Sequence, residues 1–209
     1  GLLYAAFTYF LGFKVNSGEY KVMGLAPYGE SKYKNLILDK LIDLKNDGSF
    51  KLNIDFFDYP TGLKMTNEKF SKLFGQNPRN PKEDQLEQFH MDVAASIQEV
   101  TEEIILKLVK SISEEKISDN LCLAGGVALN CVANGKILNK NLFKNIWIQP
   151  AAGDAGGSLG AALALWHKEL KNNRSPNLKD SMKGSYLGPE FSDDEIELSL
   201  KKLGATYNN

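Results

Sequence analysis

The stretch that decides the fold covers residues 121–165 and reads LCLAGGVALNCVANGKILNKNLFKNIWIQPAAGDAGGSLGAALAL. Its order predicts a strand at Leu121–Ala124, a glycine turn, a helix from Val127 to Leu138, a strand at Asn145–Gln149, a glycine loop and a helix. Strands that alternate with helices in this way are typical of an α/β fold. We expect the two strands to be adjacent and buried, and to bring both glycine loops to one cleft.

The two glycine turns suit the binding of a phosphorylated ligand. Gly125-Gly126 and Gly156-Gly157 lack side chains, so their backbone N–H groups can approach a ligand, and each turn precedes a helix start that favours anions. Neither turn is a P-loop, because no Gly-Lys-Ser/Thr follows, and the first lacks the spacing of the dinucleotide fingerprint. The alternative is that the glycines serve only tight packing between strand and helix.

Asp154 lies inside the second glycine loop and has two interpretations. A carboxylate at this position can cap the following helix by accepting backbone N–H bonds. It can equally bind a cation that is held against the phosphates of a ligand. The residues alone favour the helix cap.

The rest of the chain predicts mainly helices and one hairpin. The apolar run Leu2–Leu11 predicts a buried helix, and residues 83–113 carry the longest helical periodicity. Asp47-Gly48, between two alternating arms, predicts a hairpin with a two-residue turn. The capping box that starts at Ser192 predicts a last helix.

Residues 18–29 are punctuated by glycine and proline, which predicts a loop with at most one short turn. This loop presents Glu19 and Lys21, and a lysine can meet a phosphate as a point charge. The alternative is an ordinary solvated loop.

The composition is that of a globular protein, with 43% hydrophobic and 24% charged residues among 209. A net charge of -1 provides no field to attract nucleic acid or an anionic membrane. No apolar run approaches the roughly 20 residues of a membrane span. Two cysteines, Cys122 and Cys131, cannot form a disulfide framework, so we expect buried, inert thiols and a cytoplasmic location. His90 and His167 lack metal-ligand spacing, and Trp147 is most simply a core residue.

Three long motifs follow one another in an order that resembles the NodU/CmcH carbamoyltransferases. They are GEYKVMGLAPYG at 18–29, LAGGVALNC at 123–131 and QPAAGDAGGSLGAA at 149–162. The resemblance covers nearly the whole chain and includes YLGPE at 186–190. A looser similarity to the tRNA threonylcarbamoyl-transfer proteins includes AASIQ at 94–98.

The resemblance implies an α/β, actin-like/Hsp70-like (ribonuclease-H-like) nucleotide-binding lobe with a β-hairpin and helical insertions. Residues 1–171 are then the second lobe of an actin-like carbamoyltransferase domain. Residues 172–209 are a linker and the start of the connection to a YrdC-like domain. The first lobe, with the family's His-rich metal motif, and the YrdC-like domain are implied partners from the same protein, so we expect the chain to be a piece of a longer one.

The chemistry implied by the resemblance is O-carbamoyl transfer in biosynthesis. Such enzymes make carbamoyl-adenylate from carbamoyl phosphate and ATP, and then pass the carbamoyl group to an acceptor hydroxyl beside a divalent metal (Fe or Mg/Mn). Asp154 is the implied metal ligand, while catalytic residues, including a general base, are not identified. The implied nucleotide-binding residues are Gly125, Gly126, Val127, Asn130, Gly156, Gly157, Glu19 and Lys21.

Two other functions remain open from the residues. One is a nucleotide-binding or kinase-like lobe of the same fold without carbamoyl chemistry, and the other is a scaffold whose glycine loops only pack. If the chain is one lobe of a two-lobed cleft, we expect it to be inactive alone and to bind no metal or nucleotide cofactor. We also expect it to self-associate through uncovered apolar surface that includes part of Leu2–Leu11.

Overall fold

The computed structural model describes residues 1–176, 179–180 and 182–208, and the chain divides into two units. The first unit is residues 1–160 and the second is residues 161–209. Helix α7 (Gly156–Ala164) begins in the first unit, and α8 (Asp193–Leu203) lies in the second. The other helices and strands, in chain order, are α1 (Leu2–Phe10), α2 (Glu19–Leu25), α3 (Lys34–Lys40), β1 (Ile42–Leu44), β2 (Phe50–Leu52), α4 (Glu68–Phe74), α5 (Gln88–Glu114), β3 (Asn120–Leu123), α6 (Cys131–Asn139) and β4 (Asn145–Ile148).

The long helix α5 runs through the first unit and contacts α1, α2, α3 and α6. Phenylalanines of α1 and α4 form the aromatic part of the core, with the rings of Phe7 and Phe70 5.2 Å apart and those of Phe10 and Phe70 5.0 Å apart. The predicted burial of α1 is confirmed. The uncovered part of this helix is small, since Leu2 is 57% exposed and Tyr9 partly exposed, while Leu3, Phe7 and Phe10 are buried.

The predicted hairpin is confirmed, with β1 and β2 antiparallel and Ile42 opposite Leu52. Its loop is longer than two residues, because Lys45 closes it by donating its N–H to Ser49 O at 2.8 Å. Gly48 has a φ of +86°, and a Cβ there would lie 2.4 Å from the backbone nitrogen of Leu108. The turn therefore needs glycine both for its backbone angle and for its close packing on α5.

Strands β3 and β4 are parallel neighbours, with Leu121 beside Ile146 and Leu123 beside Ile148. This confirms the predicted adjacency and, with the hairpin, the α/β class. The strands are covered on one face only, where Leu121 packs with Val109 of α5. On the other face Trp147 is 48% exposed.

The expectation of buried thiols and of a core tryptophan is therefore wrong. Cys122 projects from the same open face of the sheet as Trp147, because side chains alternate along a strand. Cys131 is also exposed, at the first position of α6. The apolar composition of the strands indicated burial on both faces, whereas α5 and α6 cover one.

Residues 18–29 are a helix followed by a 3-10 turn, so the predicted loop is wrong. Helix α2 buries Val22 and Leu25, and the turn Ala26–Tyr28 continues it. Glycine and proline indicated a loop, but Gly24 is exposed within the helix and Pro27 lies in the first turn of the 3-10 segment, where proline is tolerated.

The two longest predicted helices have different bounds from those expected. Helix α5 begins at Gln88, because Glu87 and His90 form a capping box that starts it there. The helix predicted from Val127 is split into a 3-10 turn, Gly126–Leu129, and α6, because Asn130 is the N-cap of α6.

We predict that Gly29→Ala lowers the free energy of unfolding of the full-length protein by about 1–3 kcal/mol. A Cβ on Gly29 would lie 2.0 Å from Met91 O, so α5 and the turn that precedes α3 would have to separate. Gly24→Ala is the matched control, because a Cβ there meets no atom of the described residues within 4 Å. Urea unfolding measures both, and equal effects would contradict the packing argument.

The second unit contains the end of α7, a π-helical segment at Leu165–Glu169 and α8. The predicted capping box is confirmed, since Glu195 N donates to Ser192 Oγ at 3.3 Å and Ser192 N donates to Glu195 Oε2 at 2.8 Å. Nδ1 of His167 lies 3.0 Å from Asn172 O. None of the helices in the described ranges combines the length and apolar character that a membrane crossing requires.

Candidate functional site

The two glycine loops meet at the carboxyl ends of β3 and β4. Gly125 donates its N–H to Ala152 O at 2.8 Å, which joins the first loop to the second. A Cβ placed on Gly153 would lie 3.8 Å from the Cα of Gly126. The prediction that parallel strands bring both loops to one place is confirmed.

Packing explains some of these glycines but not all. Gly125 has a φ of +96°, and a Cβ on Gly156 would lie 2.3 Å from Ala151 O, so both positions require glycine for structural reasons. Gly126 and Gly157 have no positive φ, and a Cβ on either meets no atom of the described residues within 4 Å. Both are exposed, so the space beside them is open to a ligand.

The turn at Gly126–Leu129 presents free backbone donors. Ala128 N donates to Gly125 O at 3.0 Å and Asn130 N donates to Val127 O at 3.0 Å. Within the described residues, the N–H groups of Gly126 and Val127 have no such backbone acceptor. Free N–H groups at the start of a helical turn are donors for an anion.

The Asn130 side chain points into the protein and holds the end of this turn. Its Oδ1 accepts from Ala133 N at 3.0 Å, which caps α6. Its Nδ2 donates to Gln98 Oε1 of α5 at 2.9 Å. Asn130 is only 9% exposed, so its side chain fixes the loop from behind rather than facing the open side.

A buried polar network extends from Asn130 along α5. Tyr4 Oη donates to Gln98 Oε1 at 2.9 Å, and Gln98 Nε2 donates to Glu102 Oε1 at 2.9 Å. Glu102 is buried and forms an ion pair with Lys136 of α6. Burial raises the pKa of Tyr4 well above its ordinary value, and the nearby carboxylates of Glu102 and Glu19 add to this.

The sequence reasoning missed this network, although it contained a signal. Gln98 and Glu102 are four residues apart on a helix, so they share a face. The same side of the helix carries Ile97 and Thr101, and all four side chains are buried. Polar side chains on a buried helix face require partners, and this requirement indicated a second polar element opposite α5.

Asp154 is exposed at the junction of the loops, and its carboxylate is available to a ligand. Gly157 N donates to the backbone carbonyl of Asp154 at 3.0 Å, while no hydrogen bond or ion pair to the carboxylate occurs within the described ranges. The helix-cap interpretation is therefore wrong. No cluster of three or more His, Cys, Asp or Glu side chains suited to a metal occurs in the described part of the chain.

Glu19 and Lys21 lie on α2, whose Met23 Sδ is 3.9 Å from Sγ of Cys131, the first residue of α6. Glu19 Oε1 accepts from Asn16 N at 2.8 Å, and its charge acts on Tyr4. Lys21 Nζ lies 6.0 Å from the ring centroids of both Phe13 and Tyr20. Within the described residues, no recorded interaction joins either side chain to the glycine loops, so their nucleotide role stays a prediction.

Comparison with known proteins supports the family resemblance that the motifs indicate. The family model described as carbamoyltransferase N-terminus matches residues 1–163. An uncharacterized protein of Synechocystis sp. is 64% identical, with 96% of this chain and 32% of that protein covered. Nodulation protein NolNO of Sinorhizobium fredii is 35% identical, with 98% and 28% covered.

Nodulation protein NolO of Bradyrhizobium diazoefficiens is also 35% identical, with 96% of this chain and 34% of that protein covered. The chain therefore spans about a third of the length of these curated relatives.

Proposed function

The chain belongs to the carbamoyltransferase N-terminus family, and from this premise we propose that the full-length protein transfers a carbamoyl group to a hydroxyl of an acceptor. The proposed donor is carbamoyl-adenylate, formed from carbamoyl phosphate and ATP by a YrdC-like domain of the same protein. The observation that carries the proposal is the junction of two glycine loops with an open outer side.

The proposed part of this chain is to bind the adenylate. The N–H groups of Gly126 and Val127 would donate to its phosphate oxygens, and Gly157 would admit the ligand without a side chain in the way. Asn130 would hold the first loop in place through its internal hydrogen bonds. Positioned donors of this kind orient the carbamoyl group and stabilise charge that develops on its carbonyl oxygen.

Asp154 is the proposed metal ligand of this chain, because its carboxylate is exposed and unpaired within the described residues at the loop junction. A bound divalent metal would act as a Lewis acid toward the carbamoyl carbonyl or activate the acceptor hydroxyl. One carboxylate does not hold such a metal against water, so the remaining ligands belong to the proposed first lobe.

We further propose that the chain is the second lobe of a cytoplasmic, actin-like domain, and that this lobe is inactive without the first lobe and the YrdC-like domain. The exposed apolar side chains of the described residues include Trp147, on the open face of the sheet of β3 and β4, and Leu2 at the start of α1. Self-association of the isolated chain would use that open face of the sheet.

Carbamoyl transfer measured with carbamoyl phosphate, ATP and a panel of hydroxyl acceptors tests the proposal. We expect AMP formation and a carbamoylated acceptor from the full-length protein, and neither from this chain alone. ATP binding without carbamoyl transfer would favour the kinase-like alternative. An absence of ATP binding by the full-length protein would leave the glycine loops with a packing role only.

A further inference from the structure

We propose that Gln98 is a positioning residue that holds the loop at residues 125–130 in its ligand-binding form, an inference that rests on the proposed nucleotide site. Gln98 lies on α5, and among the described residues its side chain forms hydrogen bonds with Tyr4, Glu102 and Asn130 rather than with the open side of the loop. It acts through Asn130, which follows the turn Gly126–Leu129 directly.

The contact between the two side chains is a reciprocal amide pair. Asn130 Nδ2 donates to Gln98 Oε1 at 2.9 Å, and Gln98 Nε2 donates to Asn130 Oδ1 at 3.1 Å. Gln98 is 5% exposed and Asn130 9% exposed, so water does not substitute for either bond. An amide pair of this kind fixes both the distance and the rotation of its two side chains.

The orientation of each amide is fixed, because each amide has a further hydrogen-bond partner that can pair with its oxygen or with its nitrogen but not with both. Gln98 Nε2 also donates to the Glu102 carboxylate, which is paired with Lys136. Asn130 Oδ1 also accepts from Ala133 N, which can only donate. Rotating either amide by 180° would place like groups against each other, so the pair has a single low-energy arrangement.

Both ends of the loop are therefore fixed to the protein. Gly125 is tied to Ala152 at one end, and Asn130 is tied to Gln98 at the other. The free N–H groups of Gly126 and Val127 lie between these two points. Loss of the Gln98 contact would release one end, and the positions of the two N–H donors would no longer be fixed.

The substitution Gln98→Glu in the full-length protein tests the inference through pH. A protonated glutamic acid keeps a carbonyl that accepts from Tyr4 and Asn130, and its hydroxyl donates to one of the two original acceptors. The ionised form has no donor and lies against the Glu102 carboxylate, so burial and like charge raise its pKa. ATP affinity of this variant should be near wild type at about pH 5 and about tenfold weaker than wild type at about pH 8.

Two further variants serve as controls for the ATP affinity of Gln98→Glu. Gln98→Leu has no titrating group and should weaken ATP binding at both pH values. Thr101→Val removes another buried hydroxyl of α5, which donates to Ile97 O at 2.7 Å and, within the described residues, forms no hydrogen bond with the network. It should bind ATP as wild type does.

Hydrogen–deuterium exchange on the ligand-free protein decides the inference without reference to ATP. We expect faster exchange in residues 123–134 of Gln98→Glu at the higher pH, relative to wild type at the same pH, with α4 unchanged. Unchanged exchange in the loop would overturn the inference. An equal increase in α4, which within the described residues has no hydrogen bond to Gln98, would also overturn it, because it would mark a merely structural role. A loop response in a protein that binds no ATP would support the positioning role and count against the proposed function.

Discussion

Replacing Gly126 by valine in the full-length protein is expected to weaken ATP binding by about 10- to 100-fold, which corresponds to about 1.4–2.8 kcal/mol. The position has no positive φ, and its missing side chain touches no described atom, so valine fits the folded protein. The branched side chain would instead occupy the open space beside the free N–H groups of Gly126 and Val127. A phosphate would then be held away from those donors. Isothermal titration calorimetry with ATP measures the change, and ATP bound by the proposed YrdC-like domain forms a separate site whose affinity the substitution should leave unchanged.

Gly135→Val is the control for this substitution. Gly135 is an exposed glycine of α6, and a Cβ there also meets no atom of the described residues within 4 Å. The control shares the cost of introducing a β-branched residue near the site but leaves the loop unchanged. Unchanged affinities at every ATP site of Gly126→Val relative to wild type, with both proteins folded, would contradict nucleotide binding at this loop.

The sequence predicted the elements whose signals are local. The hairpin around Gly48, the strand order of β3 and β4, and the capping box at Ser192 each depend on residues close in sequence. The junction of the glycine loops was also predictable, because parallel neighbouring strands must end at the same edge. These features required only periodicity, turn chemistry and the connection rules of α/β units.

The predictions that were wrong concern features that depend on which other elements cover a residue. Helix α2 forms despite Gly24 because Val22 and Leu25 gain a core, and this gain exceeds the weak helix propensity of one glycine. Trp147 and Cys122 are exposed because α5 and α6 cover only the opposite face of their sheet. Such outcomes follow from tertiary packing and have no local signal.

Helix α5 links the core to the candidate site, and the sequence motifs alone did not indicate this link. Asp92 accepts from Glu30 N at 2.9 Å and from Lys32 Nζ at 2.7 Å, which anchors the segment after α2. Six residues further along, Gln98 anchors the first glycine loop through Asn130. A separation of six residues is about 9 Å along a helix, so one rigid element positions two of the three family motifs.

Substituting Asp154 by asparagine in the full-length protein is expected to reduce carbamoyl transfer by more than about 100-fold. Changes to residues that only support a metal ligand cost about 10- to 100-fold in metal affinity or activity, and the loss of a ligand costs more. Asparagine keeps the size of the side chain but removes its charge. Because the carboxylate has no hydrogen bond or ion pair within the described residues, the fold should not depend on that charge. Metal content by mass spectrometry and carbamoyl transfer are measured on the same preparation.

The two measurements separate a metal ligand from a residue that binds nucleotide. A ligand role predicts that metal content and transfer fall together, while ATP affinity stays within about threefold of wild type, a change of less than 1.4 kcal/mol. Asp39→Asn, which removes another exposed carboxylate, on α3, should change neither quantity. Wild-type metal content in Asp154→Asn would exclude Asp154 as a ligand. A loss of ATP affinity with the metal retained would show instead that the carboxylate of Asp154 contacts the nucleotide. The carboxylate at the loop junction can contact either the metal or the nucleotide, and its loss should weaken most the binding of the one that it contacts.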